Sequence, residues 1–150
     1  FREVELHGQG RVWFDRRGVL VESHLDAAQD SEQARARVPT LAAAFGMFQH
    51  IVTKERLRGR AVEALVFYQG MTLRPLVEAL RLLHCPQRRI FGLRYLARDL
   101  PADVCCRIER LAFVRDLADL AIKHDEAHQW FGQCMARLQQ AGPGSGLPAD

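Results

Sequence analysis

After Ser23 the apolar residues of this chain change their spacing from every second position to about every 3.6, and the spacing does not change back. Any sheet is therefore confined to the first twenty-odd residues, and the remainder of the chain is helical. From Glu3 to His7 apolar and polar residues alternate, Val12, Trp13 and Phe14 form a second short run, and Gly8-Gln9-Gly10 lies between them. That pattern predicts a β-hairpin. A further turn at Asp15-Arg16-Arg17-Gly18 leads into Val19-Leu20-Val21. Two or three strands cannot stand alone, so either the helices cover their apolar face or additional strands extend the sheet. The expected class is α+β, with a short N-terminal antiparallel β-hairpin over 1–23, a helical bundle over 24–140 and a tail without structure over 141–150.

Within the helical part, Asp30 or Ser31 can cap a short helix running through Val38, and Pro39 suits the first turn of the next, where its missing N–H costs nothing. Leu41, Phe45, Phe48 and Val52 form the buried stripe of that second helix, and Gly59 ends it. Arg60 to His84 has the strongest helical pattern, interrupted by Pro75, which predicts a kink or break near Gly70-Met71. A short helix near Phe91–Arg98, one from Pro101 through Leu111, and a long one from Asp116 to about Gln140 complete the reading.

With 150 residues, 48% of them hydrophobic and 26% charged, the chain has the size and apolar content of one domain. Its apolar runs fall well short of the roughly 20 residues that cross a bilayer, and 21 basic against 18 acidic residues leave only +3. Neither a membrane nor a nucleic acid is expected as a partner. Cys85, Cys105, Cys106 and Cys134 match neither a zinc nor a disulfide spacing and read as reduced core thiols. No signal-peptide pattern opens the chain, so the cytoplasm is the expected compartment. The start at Phe1-Arg2-Glu3, without an initiator Met and directly in a strand pattern, reads as a fragment of a longer protein. Unpaired strand edges would then allow two chains to pair as a homodimer. No Walker or dinucleotide glycine loop occurs.

Four groups of residues could carry chemistry. His124 and His128 stand at i and i+4, as two metal ligands on one helix face would, but Asp125 occupies the place where the zincin motif has Glu, and His124 falls on an apolar seam. A packing histidine is the favoured explanation. Arg74, Glu78 and Arg81 recur at i, i+4 and i+7 on one stripe, which suits a polyphosphate or, alternatively, an ordinary solvated face. Arg88, Arg89, Arg94 with Phe91 and Tyr95 could contact a nucleotide, or form a basic helix terminus. Glu3 and Glu5 point to one side of a strand, where paired carboxylates can hold divalent cations or simply face solvent.

Gly10-Arg11-Val12-Trp13-Phe14-Asp15-Arg16-Arg17-Gly18, Phe67-Tyr68 with Leu73-Arg74-Pro75-Leu76-Val77-Glu78, His84-Cys85-Pro86 and Phe91-Gly92-Leu93-Arg94-Tyr95-Leu96-Ala97-Arg98-Asp99-Leu100-Pro101, in this order, resemble the C-terminal half of bacterial nucleotidyltransferase-domain proteins, relatives of the aminoglycoside and lincosamide nucleotidyltransferases. The resemblance runs through most of residues 2–131. It implies a protein that uses Mg2+ and a nucleoside triphosphate to move a nucleotidyl group to a small hydroxyl acceptor. Glu5, with Glu3 as the alternative, would then be the later-strand catalytic carboxylate that holds a metal; Arg94 and Tyr95 would meet the nucleotide; and Arg74, Glu78 and Arg81 would line the cleft. The family's Gly-Ser turn and paired Asp residues do not occur in this chain. A non-catalytic helical binding module that lacks the metal site is the rival expectation.

Overall fold

The computed structural model describes Trp13, Phe14, Arg16, Arg17 and residues 26–146. Six α-helices form the described chain: α1 Ala27–Leu57, α2 Ala61–Tyr68, α3 Arg74–His84, α4 Leu96–Asp99, α5 Ala102–Ala112 and α6 Leu117–Ala141. A π-helical turn, Gln69–Leu73, joins α2 to α3, and 3₁₀ turns over Pro86–Phe91 follow α3. No strand occurs among the described residues, so the α+β expectation is corrected to a helical bundle. The hairpin expected over 1–23 lies, except for Trp13, Phe14, Arg16 and Arg17, outside the described residues. The physical reason for the correction is in the core: among the described residues the helices bury their apolar faces on one another, with no sheet layer between them. Leu41, Phe45 and Val52 of α1 meet Leu76, Leu80 and Leu83 of α3 and Leu120, Ala127 and Phe131 of α6 in one cluster. Phe45 and Phe131 stack with ring centroids 3.7 Å apart.

Two expected helices are one. Asp26, a turn before the expected caps, accepts hydrogen bonds from the backbone N–H groups of Ala28 and Gln29 and starts α1, which runs straight through Pro39. Pro39 leaves the carbonyl of Arg35 without its helical donor, but both residues are exposed and water can replace it. The buried stripe is Ala34, Val38, Leu41, Phe45, Gln49, Val52 and Glu55. It contains two polar residues and leaves Phe48 partly exposed.

The interruption expected near Gly70-Met71 is the π-helical turn. Pro75 has no N–H to offer the carbonyl four residues before it, that of Met71. Gln49 of α1 supplies the replacement, its Nε2 donating to Met71 O at 2.9 Å and to Phe45 O at 2.9 Å. A proline in one helix thus explains a buried glutamine in another.

At the C-terminal end, residues 142–146 lie against the bundle; residues 147–150 lie outside the described ones. Gly142, Gly144 and Gly146 adopt positive φ, and the N–H groups of Gly144 and Gly146 donate to Leu82 O at 2.8 Å and Leu83 O at 2.9 Å. They satisfy two of the last carbonyls of α3, which would otherwise end without donors. Among the described residues no helix is long and apolar enough to cross a membrane.

Candidate functional site

The stripe of Arg74, Glu78 and Arg81 exists on α3, but the fold divides it. Arg74 is exposed at the start of the helix. Glu78 accepts from Arg37 Nε at 2.6 Å and Nη2 at 3.1 Å, which ties α1 to α3 and raises the Arg37 pKa chiefly through that hydrogen bond. Arg81 is 0% exposed. Residues 85–100 fold back over the end of α3 and cover it, so a solvated or cleft-facing Arg81 is corrected to a buried one.

Arg81 organises the covering segment. Its Nε donates to Gly92 O at 2.9 Å, its Nη2 to Arg94 O, and its Nη1 to Asp99 Oδ2 at 2.8 Å. Asp99 also receives Arg88 Nη1 and, at 3.0 Å, Arg98 Nε. Burial pushes the Asp99 carboxyl up, yet hydrogen bonds from the three guanidiniums outweigh it and hold the group below the usual carboxylate range. A planar fork suits this arrangement, because it can serve two carbonyls and a carboxylate at once.

Between the two gripped carbonyls the backbone takes unusual conformations. Gly92 has φ 56° and ψ −130°, and Tyr95, at φ 60° and ψ 30°, is the one non-glycine at positive φ among the described residues. The left-handed region costs a side-chain-bearing residue about 1 kcal/mol and persists only where surrounding contacts impose it. As a result the side chains of Arg94 and Tyr95 project outward. The Arg94 guanidinium stands 5.6 Å from the Phe91 ring centroid and that of Arg98 4.5 Å from the Tyr95 ring. Arg74 borders the same segment, its Nε 3.9 Å from where a Cβ on Gly92 would lie. Arginines and a tyrosine on a backbone locked by a buried ion pair can grip phosphate oxygens and stack on a planar group.

The carboxylates near this surface are already bound by arginines, and among the described residues no three His, Cys, Asp or Glu side chains gather to hold a metal. Glu5 and Glu3, expected as metal ligands, lie outside the described residues.

His124 is buried, and its Nε2 lies 2.9 Å from Gln49 Oε1, which also accepts from Thr72 Oγ1 at 2.7 Å. His128 is exposed, its ring tilted against Phe45 at 5.5 Å. Cys105 and Cys134 are buried and Cys106 is exposed; burial pushes the Cys134 thiol up to about 12. Asp99 carries no mark in the sequence, because it is 18 positions from its partner Arg81. The short string Arg-Asp-Leu-Pro before a helix shows only a turn, and no local period marks a long-range ion pair.

No family model matches this chain, and no curated protein or solved structure matches it.

Proposed function

We propose that the surface made by Arg74, Arg94 and Tyr95 binds a nucleoside triphosphate, and that the chain serves a magnesium-dependent nucleotidyltransferase acting on a hydroxyl acceptor. One observation carries the reading: Arg81 locks the 92–99 segment so that Arg94 and Tyr95 point outward from fixed backbone beside Arg74. Three of the strings that carry the family resemblance, 73–78, 84–86 and 91–101, thereby become one packed unit. Preorganised charge and position are what phosphoryl chemistry asks of a protein. Magnesium and the carboxylate of Glu5, or Glu3 in its place, enter through the resemblance alone.

The test is calorimetric titration of the full chain with ATP, GTP, CTP and UTP in magnesium buffer. Saturable binding of at least one nucleotide is expected, weakened about tenfold in Arg94→Ala by loss of a charge-assisted contact. No saturable binding of any of the four, or equal affinity in the variant, overturns the reading.

A second reading, the non-catalytic helical binding module, draws support from the Arg37–Glu78 and Arg81–Asp99 pairs, in which polar residues of α3 serve the scaffold. Transfer of label from an α-labelled nucleotide to a mixture of hydroxyl metabolites separates the two. Nucleotide binding with no transfer by the protein as its native cell makes it selects the module.

A further inference from the structure

Between α5 and α6 lies an open groove of about 1610 Å³ with Val104, Phe113, Trp130 and Ala136 among its apolar lining. Two charged clusters border its end near the turn that joins the helices. In one, Glu126 Oε1 faces Arg107 Nε at 2.9 Å and Arg110 Nη2 at 3.5 Å. In the other, Asp119 accepts from Lys123 Nζ at 2.8 Å and from the backbone N–H of Arg115 at 2.9 Å, while the Arg115 guanidinium stands 3.7 Å away. Each cluster sets two cations against one carboxylate.

The four cations differ in what they can still do. Arg107 lies over the Trp130 ring at 4.2 Å and is fixed there by Glu126. Lys123 donates to Asp119 and to Phe113 O. The side chains of Arg110 and Arg115, by contrast, are 70% and 81% exposed, and their distances to Glu126 and Asp119 exceed those of a normal hydrogen bond. Among the described residues neither fork has a closed hydrogen bond. Phe113, in the turn between them, is 78% exposed.

Glu109 beside Arg110 and the N-cap Asp116 beside Arg115 balance the two excess cations in number, so an anion at this end would meet the open hydrogen-bonding forks of Arg110 and Arg115 rather than a net positive charge. At the other end Asp103 and Arg137 line the groove with His84, whose ring burial holds below its usual pKa. Two open guanidinium forks flanking an exposed aromatic ring form a recognition set for a dianion carried on an apolar body.

We infer that the Phe113 end of this groove binds an organic phosphate monoester, with its phosphoryl group between Arg110 and Arg115 and its apolar body along Phe113. This site is separate from the Arg74–Arg94–Tyr95 surface. The probes are phenyl phosphate, inorganic phosphate and phenol, titrated into the full chain by calorimetry. Phenyl phosphate should bind saturably and more tightly than inorganic phosphate, and phenol should not bind. Arg110→Ala and Arg115→Ala should each weaken phenyl phosphate about tenfold, the scale of one charge-assisted hydrogen bond. Phe113→Ala should weaken phenyl phosphate and leave inorganic phosphate unchanged. Arg94→Ala, which tests the nucleotide surface, should leave all three titrations unchanged. All three groove residues are exposed, so their variants keep the fold, which unchanged urea unfolding verifies. Absence of saturable phenyl phosphate binding, equal binding of phenol, or indifference to both arginine variants overturns the inference.

Discussion

His124 Nε2 lies 2.9 Å from Gln49 Oε1, and the surrounding bonds fix which atom donates. Gln49 Nε2 donates to Phe45 O and Met71 O, so its amide orientation is set, and Thr72 already donates to Oε1. His124 must therefore carry a proton on Nε2. One glutamine satisfies a carbonyl released by Pro75, a threonine hydroxyl and an imidazole N–H. Gln49→Leu keeps the volume and leaves those three groups without partners. It should destabilise the protein by about 3 kcal/mol, seen as a lowered urea midpoint.

The same histidine makes stability depend on pH. Burial lowers the pKa of both His124 and His84 below the usual 6.5, so the unfolded chain takes up protons that the folded chain resists. Their contribution is complete above the unfolded pKa and is lost progressively as pH falls from there through the lower folded pKa. Asp99 and Asp119 also have lowered pKa values and act in the same direction, but below the usual Asp value of 3.8. The urea midpoint should thus be lower at about pH 5 than at about pH 8, with a smaller drop in a His84→Gln, His124→Gln double variant. An equal drop in the double variant would assign the effect to other groups.

Arg81 and Asp99 are 0% and 1% exposed at their side chains. Removing one member leaves a buried charge with fewer partners, so Arg81→Met should cost about 3–5 kcal/mol. Arg81→Lys should recover only part of that, because a point charge cannot serve Gly92 O, Arg94 O and Asp99 together. Arg74→Ala, on the exposed end of the same stripe, should cost less than about 0.5 kcal/mol. Chemical unfolding of the three variants measures the contrast directly.

These pairs show where the sequence stops being informative. Period and capping made α3, α5 and α6 legible, and Pro75 marked its interruption, because each depends on residues within a turn or two of one another. Pro39 misled, since the same residue can open a helix or sit on the exposed face of a continuous one; which occurs depends on whether the released carbonyl of Arg35 meets water. Arg81 matched a solvated stripe because its burial is caused by residues 85–100, whose backbone path turns on a left-handed Tyr95 that no local pattern announces. Gln49 reads as a polar position on α1, and only the missing N–H of Pro75, 26 positions later, explains why it is inside. The α5–α6 groove was invisible for a related reason: one of its charge clusters sets Arg107 and Arg110 of α5 against Glu126 of α6.

Tyr95 separates a structural from a binding role for that segment. Its left-handed backbone is strained for tyrosine and free of cost for glycine. Tyr95→Gly removes that strain, about 1 kcal/mol, and at the same time removes the ring contacts with Phe91 at 6.0 Å and Arg98 at 4.5 Å. The two effects oppose, so stability should stay within about 1 kcal/mol of the parent, by urea unfolding. If the ring meets a nucleotide, affinity should fall about tenfold in the same variant, by calorimetry, as loss of one stacking contact implies. A loss of several kcal/mol in stability would instead make Tyr95 a support for the Arg81 segment, and an unchanged affinity would remove it from the binding surface.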